Sequence, residues 1–222
     1  MLTLDTVSVD LARTAVLRKV SARLDAGSTV AVVGRNGAGK TTLLRAIMGL
    51  TPVREGRIVF DDVDLVPLAG HRRARHGIGY APENRGIFPT LTVEQNLRLP
   101  CEVQMLSAAE TDARLATTLE VAPQLRDMLA RSGAALSGGQ GKMVALGRAL
   151  MIGTRMVLLD EPFQGLAPVL AAQYGEALVR LRQARPTLCV VLTESNGSLL
   201  GDLPDQILML ERGALRSNVE SN

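Results

Sequence analysis

Aromatic residues are nearly missing from this 222-residue chain: there is no Trp, and two Tyr and three Phe bring the aromatic share to 2%. The core must therefore be built from Leu, Val, Ala, Ile and Met, in keeping with a hydrophobic content of 46%, and few rings remain for stacking on a base or a sugar. Cysteine is as scarce. Cys101 and Cys189 stand far apart without C-x-x-C spacing, which excludes a disulfide framework or thiolate metal site and points to a reducing compartment. No run approaches the roughly 18 consecutive apolar residues of a membrane span. The start, Met1-Leu2-Thr3-Leu4-Asp5, carries an early acid and does not read as a secretory leader. Any work at a membrane needs another chain to bring this one there. An excess of one charge is lacking too, with 25 Lys+Arg against 22 Asp+Glu. The one dense basic run, His71-Arg72-Arg73-Ala74-Arg75-His76, has no interleaved aromatics and reads as a solvated helix face, so nucleic acid is not an expected partner.

What is present is a succession of short apolar runs and helical patterns, in a length that suits one α/β domain. Alternating apolar residues at Val16, Val20, Ala22 and Leu24 predict strands before residue 25, and Asp25-Ala26-Gly27-Ser28 reads as a turn. Thr29-Val30-Ala31-Val32-Val33 is a buried strand, followed by glycines and then by Leu43, Leu44, Ile47 and Met48 at helical spacing. Further strands are predicted at 57–60, 78–81, 156–160, 188–192 and 207–210, with helical patterns at 93–131 and 170–181. Continuous apolar strands alternating with helices predict a sheet buried on both faces, interrupted by a helical insertion.

The most informative segment is Gly34-Arg35-Asn36-Gly37-Ala38-Gly39-Lys40-Thr41, a complete G-x-x-x-x-G-K-[ST] between an apolar strand and a helix. Glycines let such a P-loop curl so that successive N–H groups point at a phosphate, and the helix start adds partial positive charge. Lys40 then neutralises β- and γ-phosphates, and Thr41 contributes a hydroxyl to Mg²⁺. A chance lysine in a glycine-rich turn is the competing reading, and the strand and helix on either side argue against it. Met156-Val157-Leu158-Leu159-Asp160-Glu161-Pro162 supplies two acids at a strand end: Asp160 for the metal, and Glu161 as a general base toward water.

Between these lies Leu136-Ser137-Gly138-Gly139-Gln140, which alone is a common helix-start loop. With the P-loop before it and the Asp-Glu strand after it, the chain resembles the ATP-binding cassette (ABC) ATPases over nearly its whole length. The resemblance implies an α/β P-loop NTPase of ABC ATPase type: one domain over 1–222, a mostly parallel core sheet with N-terminal antiparallel strands, and a helical subdomain inserted at 84–135. It implies ATP and Mg²⁺ as ligands, with Thr42 joining the P-loop residues. It also implies a head-to-tail dimer in which Ser137, Gly138, Gly139 and Gln140 meet the γ-phosphate held by the partner's P-loop. The segments Tyr80-Ala81-Pro82-Glu83-Asn84-Arg85-Gly86-Ile87-Phe88-Pro89 and Ala145-Leu146-Gly147-Arg148-Ala149-Leu150-Met151 are similar to the ATPases of branched-chain amino-acid importers and their urea and amide relatives, as is Gly165-Leu166-Ala167-Pro168. That branch implies a second ATPase subunit, two transmembrane permease subunits and, indirectly, a solute-binding protein, with the chain peripheral on the cytoplasmic face of the membrane.

Three positions depart from the family pattern. Glu83 stands where Gln usually reaches the metal and the lytic water. Ser195, in Thr193-Glu194-Ser195-Asn196, stands where His or Gln usually contacts the γ-phosphate, and its short side chain is expected to fall short and slow hydrolysis. Leu11 occupies the place of the ring that stacks on adenine, so a modest preference for ATP over GTP is expected. These departures motivate an alternative, a nucleotide-gated subunit that leaves turnover to a partner ATPase; intact Lys40, Asp160 and Glu161 oppose it. A soluble ABC ATPase of DNA repair or translation is disfavoured by the single-cassette length and the absence of a basic patch.

Overall fold

The computed structural model describes residues 1–216. The chain opens with a hairpin of β1 (Leu2–Leu11) and β2 (Thr14–Leu24), followed by β3 (Thr29–Val33), the glycine loop and α1 (Lys40–Ile47). Then come β4 (Glu55–Phe60), β5 (Val63–Asp64), the short α2 (Gly70–Ala74) and β6 (Ile78–Ala81). A helical stretch follows: α3 (Val93–Val103), α4 (Ala108–Val121), 3₁₀ turns at Pro123–Met128 and Gly133–Ala135, and α5 (Gly138–Ile152). The chain closes with β7 (Met156–Leu159), α6 (Pro168–Ala184), β8 (Cys189–Glu194), a 3₁₀ turn at Gly197–Leu200, β9 (Gln206–Glu211) and β10 (Ala214–Leu215).

Two sheets result. An antiparallel sheet runs β2-β1-β4-β5, and a six-stranded sheet runs β10-β9-β3-β8-β7-β6, parallel throughout except for the β9–β10 pair. The period of two along each central strand divides the interior. Val30, Val32, Met156, Leu158, Cys189 and Val191 face a core shared with α1 and the antiparallel sheet. Ala31, Val33, Val157, Leu159, Val190 and Leu192 face a second core built with α3 to α6. Both faces being covered, the strands read as unbroken apolar runs. β3, β8 and β7 are parallel neighbours in that order, so everything that follows these three strands gathers at one sheet edge.

One expectation is corrected. The basic run 71–76 is not wholly a solvated face: Arg73 is buried and donates to the carbonyls of Ala46 (2.6 Å), Ile47 (2.8 Å) and Leu68 (2.8 Å). The last carbonyls of α1 have no partner within their own helix, and a guanidinium is well suited to satisfy several at once. The other charged residues of the run, His71, Arg72, Arg75 and His76, are exposed as expected.

Candidate nucleotide site

The glycine loop owes its path to backbone contacts that no side chain tolerates. A Cβ on Gly34 would lie 2.2 Å from the Leu210 carbonyl oxygen. Gly39 sits at φ 108, closed in by Leu17 and Val16, and starts α1 without any side-chain cap. The first N–H groups of α1 therefore have no competing side-chain oxygen and are available to an anion. Lys40 folds back over the loop, its Nζ donating to Gly34 O (2.6 Å) and pairing with Glu161 Oε1 (2.9 Å), and it is only 5% exposed. Ala38 is buried in the loop, with its N–H on Arg35 O.

Beside the loop a cavity of about 310 Å³ is lined by Asn36, Gly37, Gly39, Lys40, Thr41, Thr42, Glu83 and Glu161, together with Val16 and Gln164. Asp160, buried at the end of β7, accepts from Thr41 Oγ1 (3.0 Å), Thr193 Oγ1 (2.8 Å) and Tyr80 OH (3.3 Å). Desolvation, then the Asp160 charge and hydrogen bond, push the Tyr80 phenol far above its ordinary value, so it remains a donor. Glu161 turns into the left-handed region at φ 47, which swings its carboxylate back toward Lys40. Burial would raise its pKa, yet the Ser195 hydroxyl and Lys40 more than offset this and hold the carboxyl below its usual range. Ionised in this way, Glu161 can accept a proton.

Ser195 joins the same cluster. Its Oγ lies 2.7 Å from Glu161 Oε1, 2.7 Å from Asn36 Oδ1 and 3.2 Å from Lys40 Nζ. It reaches because β8 extends two residues beyond the apolar run, through Thr193 and Glu194, and brings the backbone itself to the cluster. Its single proton can serve either Glu161 or Asn36, not both.

Leu11 and the start of α5, the latter expected at a partner's P-loop and not at this one, lie off this cavity. Leu11 lies 42% exposed at the end of β1 and does not line it; Val16, on the returning strand, does. Ser137, Gly138, Gly139 and Gln140 begin α5 away from it, with Ser137 Oγ accepting the Gln140 N–H (3.3 Å) and Gln140 Oε1 accepting the Ser137 N–H (3.0 Å). Arg85 leans over this start, donating to Gly138 O at 3.4 Å.

Residues absent from the expected site are Thr193, Glu194, Tyr80, Lys142, Val16 and Gln164. Lys142, from the first turns of α5, donates to the Glu161 carbonyl, and burial lowers its pKa. Tyr80, Thr193 and Glu194 fall within segments that drew attention in the sequence, but no motif announces their contacts.

Comparison with known proteins bears on the family and the fold. Residues 17–164 match the ABC transporter family. The high-affinity branched-chain amino acid transport ATP-binding protein BraG of Pseudomonas aeruginosa is 34% identical over 97% of this chain and 91% of its own. The probable branched-chain amino acid transport ATP-binding protein LivF of Archaeoglobus fulgidus is 32% identical over 93% and 86%. The lipopolysaccharide export system ATP-binding protein LptB of Escherichia coli is 36% identical over 82% and 74%. Among solved structures, an ABC transporter cassette in its ADP conformation superposes with a TM-score of 0.85 at 24% identity, covering 98% of this chain and 89% of that one. A dimeric cassette bound to ADP and Pi superposes at 0.84 and 23%, over 98% and 97%. A cassette fold carrying a phosphate loop beside a buried Asp-Glu pair, matched along most of its length by transporter ATPases, places the chain in the ABC transporter family, to which it belongs as an ATPase cassette.

Proposed function

We propose that this chain is the ATP-hydrolysing subunit of an ABC importer for branched-chain amino acids or related small amides or urea, one of two cassettes that close around ATP and reopen after hydrolysis. The observation that carries the ATPase reading is the cluster in which Lys40, Glu161 and Ser195 lie within hydrogen-bond reach of one another beside the Thr41–Asp160 pair. Lys40 and the loop N–H groups of Gly37 to Thr41 take the β- and γ-phosphates of ATP. Glu161 accepts a proton from water as the water oxygen bonds to the γ-phosphorus and the bond to the bridging oxygen of ADP breaks. Thr41 and Asp160 offer two hard oxygens 3.0 Å apart, and no cluster of three metal-binding side chains occurs among the described residues. That is a fit for Mg²⁺, which favours one or two protein oxygens plus phosphates and water. Bound there, the ion neutralises phosphate charge, and Glu83 on the cavity wall is a further oxygen donor.

The exposed start of α5 supports head-to-tail pairing, with Ser137, Gly138 and Gly139 meeting the nucleotide of a second cassette. The helical stretch, read as a subdomain over 84–135, forms with the sheet a cleft of about 280 Å³ lined by Met48, Tyr80, Pro82, Pro100, Arg148 and Ile152, suited to a helix of a permease subunit. No helix among the described residues is long and apolar enough to cross a membrane, and attachment to the cytoplasmic face then comes through two permease subunits. The importer reading and its solute rest on BraG and LivF; LptB, as similar, is named for lipopolysaccharide export, so the ATPase chemistry stands apart from the cargo.

The test is ATP turnover of the chain assembled with the permease subunits encoded beside it, wild type against Glu161→Gln. Strong loss in the variant, with ATP still bound, is expected; equal turnover rejects this site as the engine. Transport of leucine, urea or acetamide by the assembly, with a solute-binding protein supplied, tests the cargo.

A further inference from the structure

Three consecutive residues at the end of β8 hold the segment from Asp160 to Phe163 beyond the end of β7. Thr193 Oγ1 accepts the Glu161 N–H (2.9 Å) while donating to Asp160. The Ser195 N–H and Oγ reach the two oxygens of the Glu161 carboxylate, at 3.2 and 2.7 Å. Between them Glu194 Oε1 accepts the N–H of Phe163 at 2.8 Å. Glu194 is 1% exposed, an expensive place for a carboxyl group that accepts one loop amide and otherwise faces the Glu161 carboxylate. That loop contains Glu161 at φ 47, a conformation that persists in a non-glycine residue only where its surroundings over-determine it. Three residues on from Glu161, Gln164 lines the nucleotide cavity.

We propose that Glu194 is a positioning residue for ATP hydrolysis: by accepting the Phe163 amide it fixes the Glu161-Pro162-Phe163 turn, and with it the aim of the Glu161 carboxylate and the entry of Gln164 into the cavity. The inference rests on the ATPase reading of the site. Three groups face Glu194: Glu161 past β7, Lys142 from α5 and Tyr174 from α6. Burial, with the Glu161 charge adding to it, pushes Glu194 up to about 7, while Glu161 is held low. The negative charge of the pair is thereby kept on the residue that faces the cavity.

Glu194→Gln preserves an acceptor for Phe163 and can donate to Glu161, as a protonated Glu194 would. Glu194→Asp draws the carboxyl back by one methylene, and Glu194→Leu removes it. With the full assembly, turnover in the Leu and Asp variants should fall about tenfold to hundredfold while ATP affinity stays within about twofold, as expected when a reacting group is misaimed, and Gln should restore most of the rate. In the full chain without ATP, amide exchange over residues 161–166 should quicken in Leu and Asp and not in Gln. The proposal is overturned if exchange in both Leu and Asp matches wild type, if Gln behaves as Leu does, or if ATP affinity falls in step with turnover. Should Leu not fold, Asp carries the comparison. A wild type no faster than Glu161→Gln would reject the ATPase reading, and the exchange measurement would still decide the Glu194–Phe163 contact.

Discussion

α1 and α5 both begin at glycine-rich loops, and they begin in opposite ways. α1 starts from a left-handed Gly39 with no side-chain cap, amid the buried charges of Lys40, Asp160 and Glu161. α5 starts from Ser137 within a completed capping box, exposed to solvent and off the cavity. A capped helix start satisfies itself, so it is stable before any ligand arrives. An uncapped start amid unlike charges keeps its donors and its lysine for an anion. The α1 start is assembled within one chain; the α5 start, on the proposed pairing, is a finished surface for a second cassette.

The sharpest way to break this comparison is to damage each half separately. Glu161→Gln should lower turnover by about 10²–10⁴-fold, the usual worth of a general base, and leave ATP binding by the isolated chain intact. Ser137→Arg should leave that binding equally intact, because the residue does not line its own chain's cavity. Turnover of the assembly should still fall, by about tenfold or more, as expected on losing a charge-assisted hydrogen bond to a phosphate. Measured ATP affinity in the isolated chain and turnover in the assembly, taken together, check both. Weakened ATP binding by an isolated Ser137→Arg chain would mean that the two halves are not separate.

A finer probe is Ser195, which belongs to the phosphate side but was expected to fall short of it. With its hydroxyl 2.7 Å from Glu161 and accepting from Lys40 at 3.2 Å, Ser195→Ala removes one donated and one accepted hydrogen bond, each worth about 0.5–1.5 kcal/mol, so turnover should drop by no more than about a hundredfold. Ser195→Gln, which restores a longer reach, should not exceed wild type by much. A large gain in turnover would reinstate the short side chain as limiting.

The phosphate side should also respond to pH in a way the α5 start does not. Glu194 is raised from 4.5 to about 7, so the folded state binds its proton more tightly than the unfolded chain does. Its stabilising contribution is complete below about pH 4.5 and is lost as pH rises through about 7. Glu194→Gln, which does not titrate, should therefore gain melting temperature relative to wild type between those values. Thermal unfolding of both proteins from pH 4.5 to 8 reads this; curves that stay parallel would mean that Glu194 titrates at its ordinary value. Glu161 and Lys142, close to it, are the groups most able to share the effect.

The motif residues were legible because their chemistry is local: a glycine loop after a buried strand, an Asp-Glu after another, a serine three residues ahead of Gln140. The layering was legible for the same reason, since unbroken apolar runs imply a sheet covered on both faces. What could not be read was adjacency. Nothing in the sequence says that β8 lies between β3 and β7, and only that order brings Thr193, Glu194 and Ser195 against Asp160, Glu161 and Phe163. Arg73 escaped in the same way: a run of charges along the chain suggests solvent, whereas the carbonyl end of α1 beside it demands a donor. Ser195 lies against Glu161, Asn36 and Lys40 because β8 carries the backbone to them, which side-chain length alone does not reveal.

Leu11 is the smallest test of the comparison, and it concerns the edge of the phosphate side. The family resemblance puts it at the adenine, where an aromatic ring would add about 1–3 kcal/mol by analogy with base stacking in nucleic-acid complexes. In the fold the hairpin turns through Ala12 and Arg13, both at positive φ, and Val16 on the returning strand lines the phosphate-side cavity, which Leu11 does not line. Leu11→Tyr should therefore change ATP affinity by less than about threefold, below the lower end of that stacking range. The ratio of ATP to GTP affinity should hardly move, whereas Val16→Ala should weaken both nucleotides. Equilibrium titration with each nucleotide separates the cases: a tenfold gain confined to ATP in Leu11→Tyr would bring residue 11 back to the base, and would extend the self-assembled half-site from the phosphates to the whole nucleotide.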